Sequence, residues 1–311
     1  MYVIVNPVAG RGRSRRVWPT IEAELRLQGL SFETVFTERP GHAKELAQQA
    51  VKSGYQVVVA VGGDGTLTEV VNGLAGSGVL LGLVPVGSGN DFARSLHIPQ
   101  DITEAVGILA GGARLTVDLG RVGENYFINV AGVGFDAQVA LTMAEKARWL
   151  KGTAAYVYAV FRCLFSCKPF PLRLELDGQE QRVNALLIAV ANGQYIGGGM
   201  HIAPEAQVDD GYFDVVVLEN ISPFAFVKSF PSVFRGTHLT HPKIKLYRAR
   251  NVSVEPLTNG QQIPAQAEGN FIGCAPQVFG IIPAAQQVLV AKAVVQTNHN
   301  YGKGLQLAQV D

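Results

Sequence analysis

Two glycine-and-aspartate runs, Gly62-Gly63-Asp64-Gly65-Thr66 and Gly87-Ser88-Gly89-Asn90-Asp91, are the residues in this chain best suited to chemistry. Each follows directly on an apolar stretch, Val57 to Val61 and Leu80 to Val86. Leu67 to Leu74 and Phe92 to Leu96 then have helical character. A strand, a glycine turn and a helix start bring bare backbone N–H groups up to an anion. An aspartate inside such a turn tolerates a phosphate only when a cation sits between them, so the residues point to a nucleotide with Mg²⁺. Either turn alone equally suits an ordinary βα connection with Asp64 or Asp91 as a helix cap. Two of them 25 positions apart favour the phosphate reading. A side chain on Gly63 or Gly65 would block the backbone's approach to phosphate, so Gly63→Val is expected to abolish nucleotide binding with the fold intact.

Phosphoryl transfer needs little covalent help from protein; it needs positioning and positive charge. Asp64, Asp91, Asp118 and Asp210 are the carboxylates that could assemble a magnesium network, since Mg²⁺ favours carboxylate oxygens and retained waters. Asp118 also suits a strand-end turn and Asp210 the first half of an Asp-Gly turn. The Walker signature G-x-x-x-x-G-K-[ST] is absent, as are H-E-x-x-H and G-x-S-x-G, and the first turn has Gly10 and Gly12 but no third glycine in register.

The elements that must carry these turns alternate over residues 1 to about 120. Strands are predicted at Tyr2 to Asn6, Phe32 to Thr37, Gln56 to Val61 and Leu80 to Val86, with helices such as Val17 to Leu27 and Ala43 to Ser53 between them. That pattern means an α/β domain with a doubly wound, mostly parallel sheet. Ligands bind such sheets at the carboxyl ends of the strands, where Asn6, Thr37, Gly62 and Gly87 fall. From 121 to about 296 the pattern becomes that of a mainly antiparallel β-sandwich with helical insertions. Its strands are predicted at Tyr126 to Val130, Leu172 to Leu176, Ala185 to Ala191, Tyr212 to Leu218, Lys243 to Arg248, Val252 to Glu255 and Gln287 to Val290, and its helices at Gly152 to Ser166 and Pro223 to Phe234. Residues 297 to 311 read as a polar tail.

A formal net charge of +1 and only 16% charged residues argue against nucleic acid as a partner. Three cysteines are too few for a disulfide framework, and Cys163 and Cys167, one helical turn apart in an apolar segment, read as core residues of a protein in a reducing cytosol. No apolar run reaches the roughly 18 residues that span a bilayer. The expected location is cytoplasmic, with peripheral membrane association. Tyr156, Tyr158, Phe161, Leu164 and Phe165, flanked by Lys146, Arg148, Lys151 and Lys168, suit a helix packed on the sandwich, and also a membrane-surface segment or acyl pocket wall.

Taken in order, several segments resemble the bacterial diacylglycerol kinase-like lipid kinases, relatives of sphingosine kinases and NAD kinases. They are Asn6-Pro7-Val8-Ala9-Gly10, Thr37, the two glycine turns, Val117-Asp118-Leu119-Gly120, Tyr126-Phe127-Ile128-Asn129 with Gly132 and Gly134, and Asp209-Asp210-Gly211-Tyr212-Phe213-Asp214. The resemblance implies that Asn6, Gly10, Thr37, Gly62, Gly63, Asp64, Gly65, Thr66, Ser88, Gly89, Asn90 and Asp91 line an ATP site. It implies a magnesium loop carrying Gln207, Asp210 and Tyr212, with Asp64, Asp91 and Asp118 orienting magnesium and its waters. It implies a lipid substrate met at a membrane surface. One departure matters: where the family carries Asp-Gly-Glu, its Glu the general base, this chain reads Glu268-Gly269-Asn270. Asn270 cannot accept a proton in that role. Glu268, two positions away and on the same face of a strand, is the candidate substitute. Two other functions stay open: a nucleotide-binding, catalytically weak homologue, and a kinase of a soluble hydroxyl substrate of the NAD kinase type. The sequence also leaves a homodimer open.

Overall fold

The structure is a computed structural model that describes residues 1–146, 153–165, 167–258 and 260–295. Short apolar strands Tyr2–Val5 (β1), Glu33–Phe36 (β2), Val57–Gly62 (β3) and Leu80–Pro85 (β4) lie parallel in the order β2-β1-β3-β4. Helices Ala9–Leu27 (α1), His42–Lys52 (α2), Asp64–Leu74 (α3), Asp91–Ser95 (α4) and Ile102–Gly111 (α5) connect and cover them. β1, β3 and β4 are almost entirely buried, as strands covered on both faces must be. The first residues of α1 are not helical: Gly10, Arg11 and Gly12 all have left-handed backbones. A Cβ on Gly10 would run into the carbonyl oxygen of Val86, so this glycine lets the first turn lie against the end of β4.

The second half is built from Ala113–Val122 (β5), Asn125–Phe127 (β6), Val130–Gly134 (β7), Phe170–Leu176 (β8), Gln179–Ala191 (β9), Phe213–Glu219 (β10), Ile244–Ala249 (β11), Asn251–Pro256 (β12), Pro264–Ala267 (β13), Asn270–Cys274 (β14) and Gln277–Val290 (β15). Helices Phe135–Lys146 (α6), Thr153–Leu164 (α7) and Pro223–Val233 (α8) interrupt it. The strands run antiparallel in the order β14-β13-β7-β9-β8-β12-β15, with β10 and β11 added on β9. Strand periodicity sorts the side chains. In β10, Phe213, Val215 and Val217 enter the sandwich core with Phe127 and Phe279, whereas Val216 and Leu218 face a second core under α7 and α8. Ala159, Val160, Cys163 and Leu164 of α7 belong to that second core with Phe161 packed against it, whereas Phe165, just past the helix, is exposed. The side chains of Lys146, Arg148, Lys151 and Tyr156 lie outside the described residues.

Two expectations need correction. The strand expected at Tyr126 to Val130 is two strands, broken at Ile128 and Asn129, whose backbone N–H groups are turned to a carboxylate described below. The final strand is far longer than Gln287 to Val290. It bulges between Ile282 and Gln286, and the Pro283-Ala284-Ala285 sequence there hides its continuity. β5 and β15 pair on both sides of that bulge, and Val288 of β15 lies parallel to Leu81 of β4. The sheet is therefore continuous through both halves.

Candidate active site

The two glycine turns meet through their bare backbones. A Cβ on Gly63 would stand 2.9 Å from the Cα of Gly87, and one on Gly87 would stand 2.7 Å from Asn90 Oδ1. Asn90 holds a left-handed backbone and closes its own turn, accepting from Gly87 N–H at 2.9 Å and donating to Gly87 carbonyl at 3.1 Å. A Cβ on Gly62 would meet Thr66, whose hydroxyl accepts from Asn6 Nδ2 at 2.8 Å. Asn6, Thr66, Gly62, Gly63 and Asn90 thus hold the turns in place. Gly65 is different: it is exposed in the first turn of α3, where a Cβ would meet nothing within 4 Å. Ser88 is exposed in the second turn, and Thr37 is buried just past β2.

Asp64 and Asp91 come together at the start of α4. Asp64 Oδ1 accepts the Asp91 N–H at 2.7 Å, and Asp91 Oδ2 accepts the Gly198 N–H at 2.8 Å. Asp91 Oδ1 is buried without a hydrogen-bond partner among the described residues. Burial, then the Asp64 charge, pushes the Asp91 carboxyl up to about 6, and burial raises Asp64 as well. Two crowded carboxylates with a spare buried oxygen fit a divalent cation. Gly89 gives them room, since its Cβ would stand 2.8 Å from Asp64 Oδ2.

From the other half, Glu268 reaches the same place. Glu268 and Gly269 form the two-residue turn between β13 and β14, both with positive φ, 54° and 77°. This is the geometry that Asn-Gly or Gly-Gly normally supplies. A glutamate held there is strained, and such strain marks functional positions. Its Oε1 is fixed by the Ile128 N–H at 2.7 Å and the Asn129 N–H at 2.6 Å. Burial pushes its carboxyl up to about 8, with the charges of Asp64 and Asp91 adding to the rise and the two N–H groups opposing it. Asn270 is exposed at the first position of β14, and Glu268 is not on that strand at all. The expected strand face shared by the two residues is therefore replaced by a turn that folds Glu268 back. Behind it, Gln266 accepts the Gly269 N–H at 2.7 Å and donates to Asp136 Oδ2 at 2.8 Å.

In the loop before β10 the carboxylates of Asp118 and Asp210 have protein partners. Asp118 accepts Gly211 N–H and Ala284 N–H, each at 2.7 Å, on its two oxygens, and donates its own N–H to Val208. These bonds clamp the loop to β15. Asp210 accepts the Tyr212 N–H at 3.0 Å and is ion-paired to Arg248; Gln207 is exposed. The Arg248 and Arg250 guanidinium groups lie 4.8 and 4.7 Å from the Tyr212 ring centroid. Among the described residues no cluster of three or more His, Cys, Asp or Glu side chains could hold a metal. Sequence reasoning missed Asn192, which ties the carbonyls of Asp118 and Ile128 together, and Gly198, whose backbone binds Asp91. The Gly197-Gly198-Gly199 run was the available signal.

A crystal structure of a diacylglycerol kinase from Bacillus anthracis str. Sterne has the same fold, with a TM-score of 0.75, 24% identity, and coverage of 94% of this chain and 97% of that one. A second structure from that organism gives a TM-score of 0.78 at 25% identity, with the same coverage. Residues 1–122 match the diacylglycerol kinase catalytic domain, and residues 129–290 match the YegS C-terminal NAD kinase beta sandwich-like domain. The chain belongs to the diacylglycerol kinase family of lipid kinases. It is 33% identical over 281 residues to the diacylglycerol kinase of Staphylococcus saprophyticus subsp. saprophyticus, covering 89% of this chain and 90% of that one. A diacylglycerol kinase of Staphylococcus aureus (strain bovine RF122 / ET3-1) is 34% identical over the same length, covering 89% and 88%.

Proposed function

We propose that this enzyme transfers the γ-phosphate of ATP, with Mg²⁺, to a primary hydroxyl of diacylglycerol or a related lipid, working in the cytoplasm at a membrane surface. The observation that carries this reading is the convergence of Asp64 and Asp91 from one half with Glu268 from the other. The backbone around Gly65 and Gly89 is bare enough to approach phosphates. Asp64 and Asp91 would hold Mg²⁺, which supplies positive charge to the phosphate oxygens when bound. Glu268 takes the proton from the lipid hydroxyl: its two N–H contacts orient the carboxylate, and its raised pKa suits a base working near neutral pH. The loop of Gln207, Asp210 and Tyr212 would supply further oxygen ligands to magnesium, Arg248 being ion-paired to the Asp210 carboxylate. The acceptor end is an apolar cavity between the sandwich and α8, lined by Leu187, Met200, Val216, Phe226, Phe230 and others. Such a cavity suits an acyl chain and disfavours a soluble dinucleotide acceptor. Purified protein with labelled ATP and a lipid panel tests the proposal: phosphorylation of a diradylglycerol supports it, and ATP binding with no lipid product overturns it.

No helix among the described residues is long and apolar enough to cross a membrane. Helix α8 instead is apolar on two faces. Phe226, Phe230 and Val233 line the cavity, while Phe224, Val227, Lys228 and Pro231, at helical spacing, are exposed together with Phe234 and Arg235. Phe224 is 81% exposed. An apolar face with basic residues fits the interface of an anionic bilayer. The double variant Phe224→Asp with Phe234→Asp should weaken binding to anionic vesicles by about a hundredfold or more, two phenyl groups being worth roughly 1.5–3 kcal/mol each when fully buried. ATP affinity should not change. Vesicle binding equal to the wild type would remove α8 from the membrane contact.

A further inference from the structure

The apolar cavity has two buried polar atoms with no partner among the described residues, Asp136 Oδ1 and His238 Nδ1, and both residues line it. Asp136 is fixed in place: its other oxygen accepts from the buried Gln266 amide at 2.8 Å, and Gly132, where a Cβ would collide with that oxygen, lets the carboxyl lie against the sheet. His238 sits 3.0 Å from the Ile202 carbonyl through Nε2. A carbonyl only accepts, so Nε2 carries the hydrogen. Burial lowers the imidazole pKa, which keeps the ring neutral and leaves Nδ1 a bare lone pair. Asp136 is pushed up only to about 6 and is ionised at pH above that. Ser229, the remaining polar residue on the wall, spends its hydroxyl on the carbonyls of Ala225 and Phe226. Both unpartnered atoms are therefore acceptors.

A buried acceptor without a donor is costly, and such groups are normally matched by what occupies the site. Diacylglycerol brings ester oxygens and one hydroxyl, and that hydroxyl is the one phosphorylated. It has no donor to spare. We propose that the preferred acceptor lipid carries a second hydrogen-bond donor, a hydroxyl or a nitrogen-bound hydrogen close to the reacting hydroxyl, and that Asp136 and His238 in the cavity wall recognise it. This rests on the lipid kinase reading and narrows its substrate class. Placement supports it: Asp136 connects through Gln266 to the Gly269 amide, next in sequence to Glu268, which ties this wall of the cavity to the turn carrying the proposed base.

The test uses a matched pair of lipids, 1-oleoylglycerol and 1-oleoyl-2-O-methylglycerol, which differ only in whether the secondary hydroxyl can donate. Binding of each to the full chain is measured by calorimetry without nucleotide, and kcat/KM is measured with ATP and Mg²⁺. The wild type should favour the free hydroxyl by at least about tenfold in both measurements, because the methylated lipid leaves a buried acceptor unpaired. Asp136→Leu and His238→Phe, checked for folding by thermal melting, should bring that ratio toward one, and so should Asp136→Asn, whose one amide oxygen is taken by the Gln266 amide and whose NH2 group then replaces the acceptor facing the cavity. Equal binding of the two lipids by the wild type overturns the proposal, as does failure to bind either, or discrimination that survives in folded Asp136→Leu and His238→Phe. Should Asp136→Leu not fold, the wild-type ratio and His238→Phe still decide. Discriminating binding without turnover of any lipid would leave this recognition standing and sink the kinase reading instead.

Discussion

Glu268→Gln is expected to lower the rate of lipid phosphorylation by about 10² to 10⁴, the usual contribution of a positioned general base, while Asn270→Glu changes it little. Two facts set this direction. Glu268 is held by the Ile128 and Asn129 N–H groups in the field of Asp64 and Asp91, whereas Asn270 is exposed on β14. A glutamine keeps the shape and one acceptor oxygen for those N–H groups, so folding should survive. A pH profile sharpens the test. The Glu268 carboxyl is raised to about 8, and only its deprotonated form takes a proton, so kcat/KM should climb with rising pH until about 8 and then level. A cation on Asp64 and Asp91 removes part of their repulsion and moves that limb to lower pH. In Glu268→Gln the limb should be gone. A mutant with wild-type turnover and an unchanged profile would show that no base acts from this turn, and a large gain from Asn270→Glu would return the role to the position expected from sequence.

Gly65→Val is expected to abolish ATP binding in a protein that melts like the wild type, and Gly63→Val to lose the fold of the first half. A Cβ on Gly65 meets nothing within 4 Å, so the branched side chain is accommodated by the protein and stands where a nucleotide would approach the start of α3. Each backbone hydrogen bond to a charged oxygen lost there is worth about 1.5–3 kcal/mol, so affinity should fall by two orders of magnitude or more. Gly63 faces the Cα of Gly87 at 2.9 Å from its ideal Cβ. That neighbour is backbone and cannot rotate away, so a cost at the upper end of the usual ~1–3 kcal/mol of overpacking, or above it, follows. The sequence expectation that Gly63→Val leaves the fold intact is thus reversed. Calorimetry and thermal melts on both variants check it: near-wild-type ATP affinity in folded Gly65→Val would move the phosphate site elsewhere.

What the sequence made legible follows from what kind of signal each residue leaves. The parallel strands β1 to β4 were readable because buried strands are continuous apolar runs ended by glycine, and Asp64 and Asp91 stand just past those ends. β13, Pro-Ala-Gln-Ala, has no β-branched or aromatic residue to mark it, so the hairpin that presents Glu268 was read as one strand. Its turn character lies in a positive φ that a glutamate rarely adopts. Asp118 and Asp210 look alike as candidate ligands in sequence, and only tertiary contacts with Gly211, Ala284 and Arg248 show that their oxygens are already engaged. Asp136 and His238 were silent for the same reason: burial without a partner is a property of the packed chain.

The path of β15 bears on how this chain is made. Val288, Leu289 and Val290 complete the core of the first half, and Gln286 donates to the Val79 carbonyl at 2.8 Å. On a ribosome the first four strands emerge with β4 lacking this neighbour until synthesis has nearly finished. A nascent chain in that state exposes an apolar sheet edge for the time needed to add some two hundred residues, about ten to forty seconds at ordinary elongation rates. Contacts of such long sequence separation also slow folding. A stop codon placed after residue 280 should therefore yield aggregated polypeptide that retains neither half of the kinase, even though every glycine and aspartate of the nucleotide turns is present.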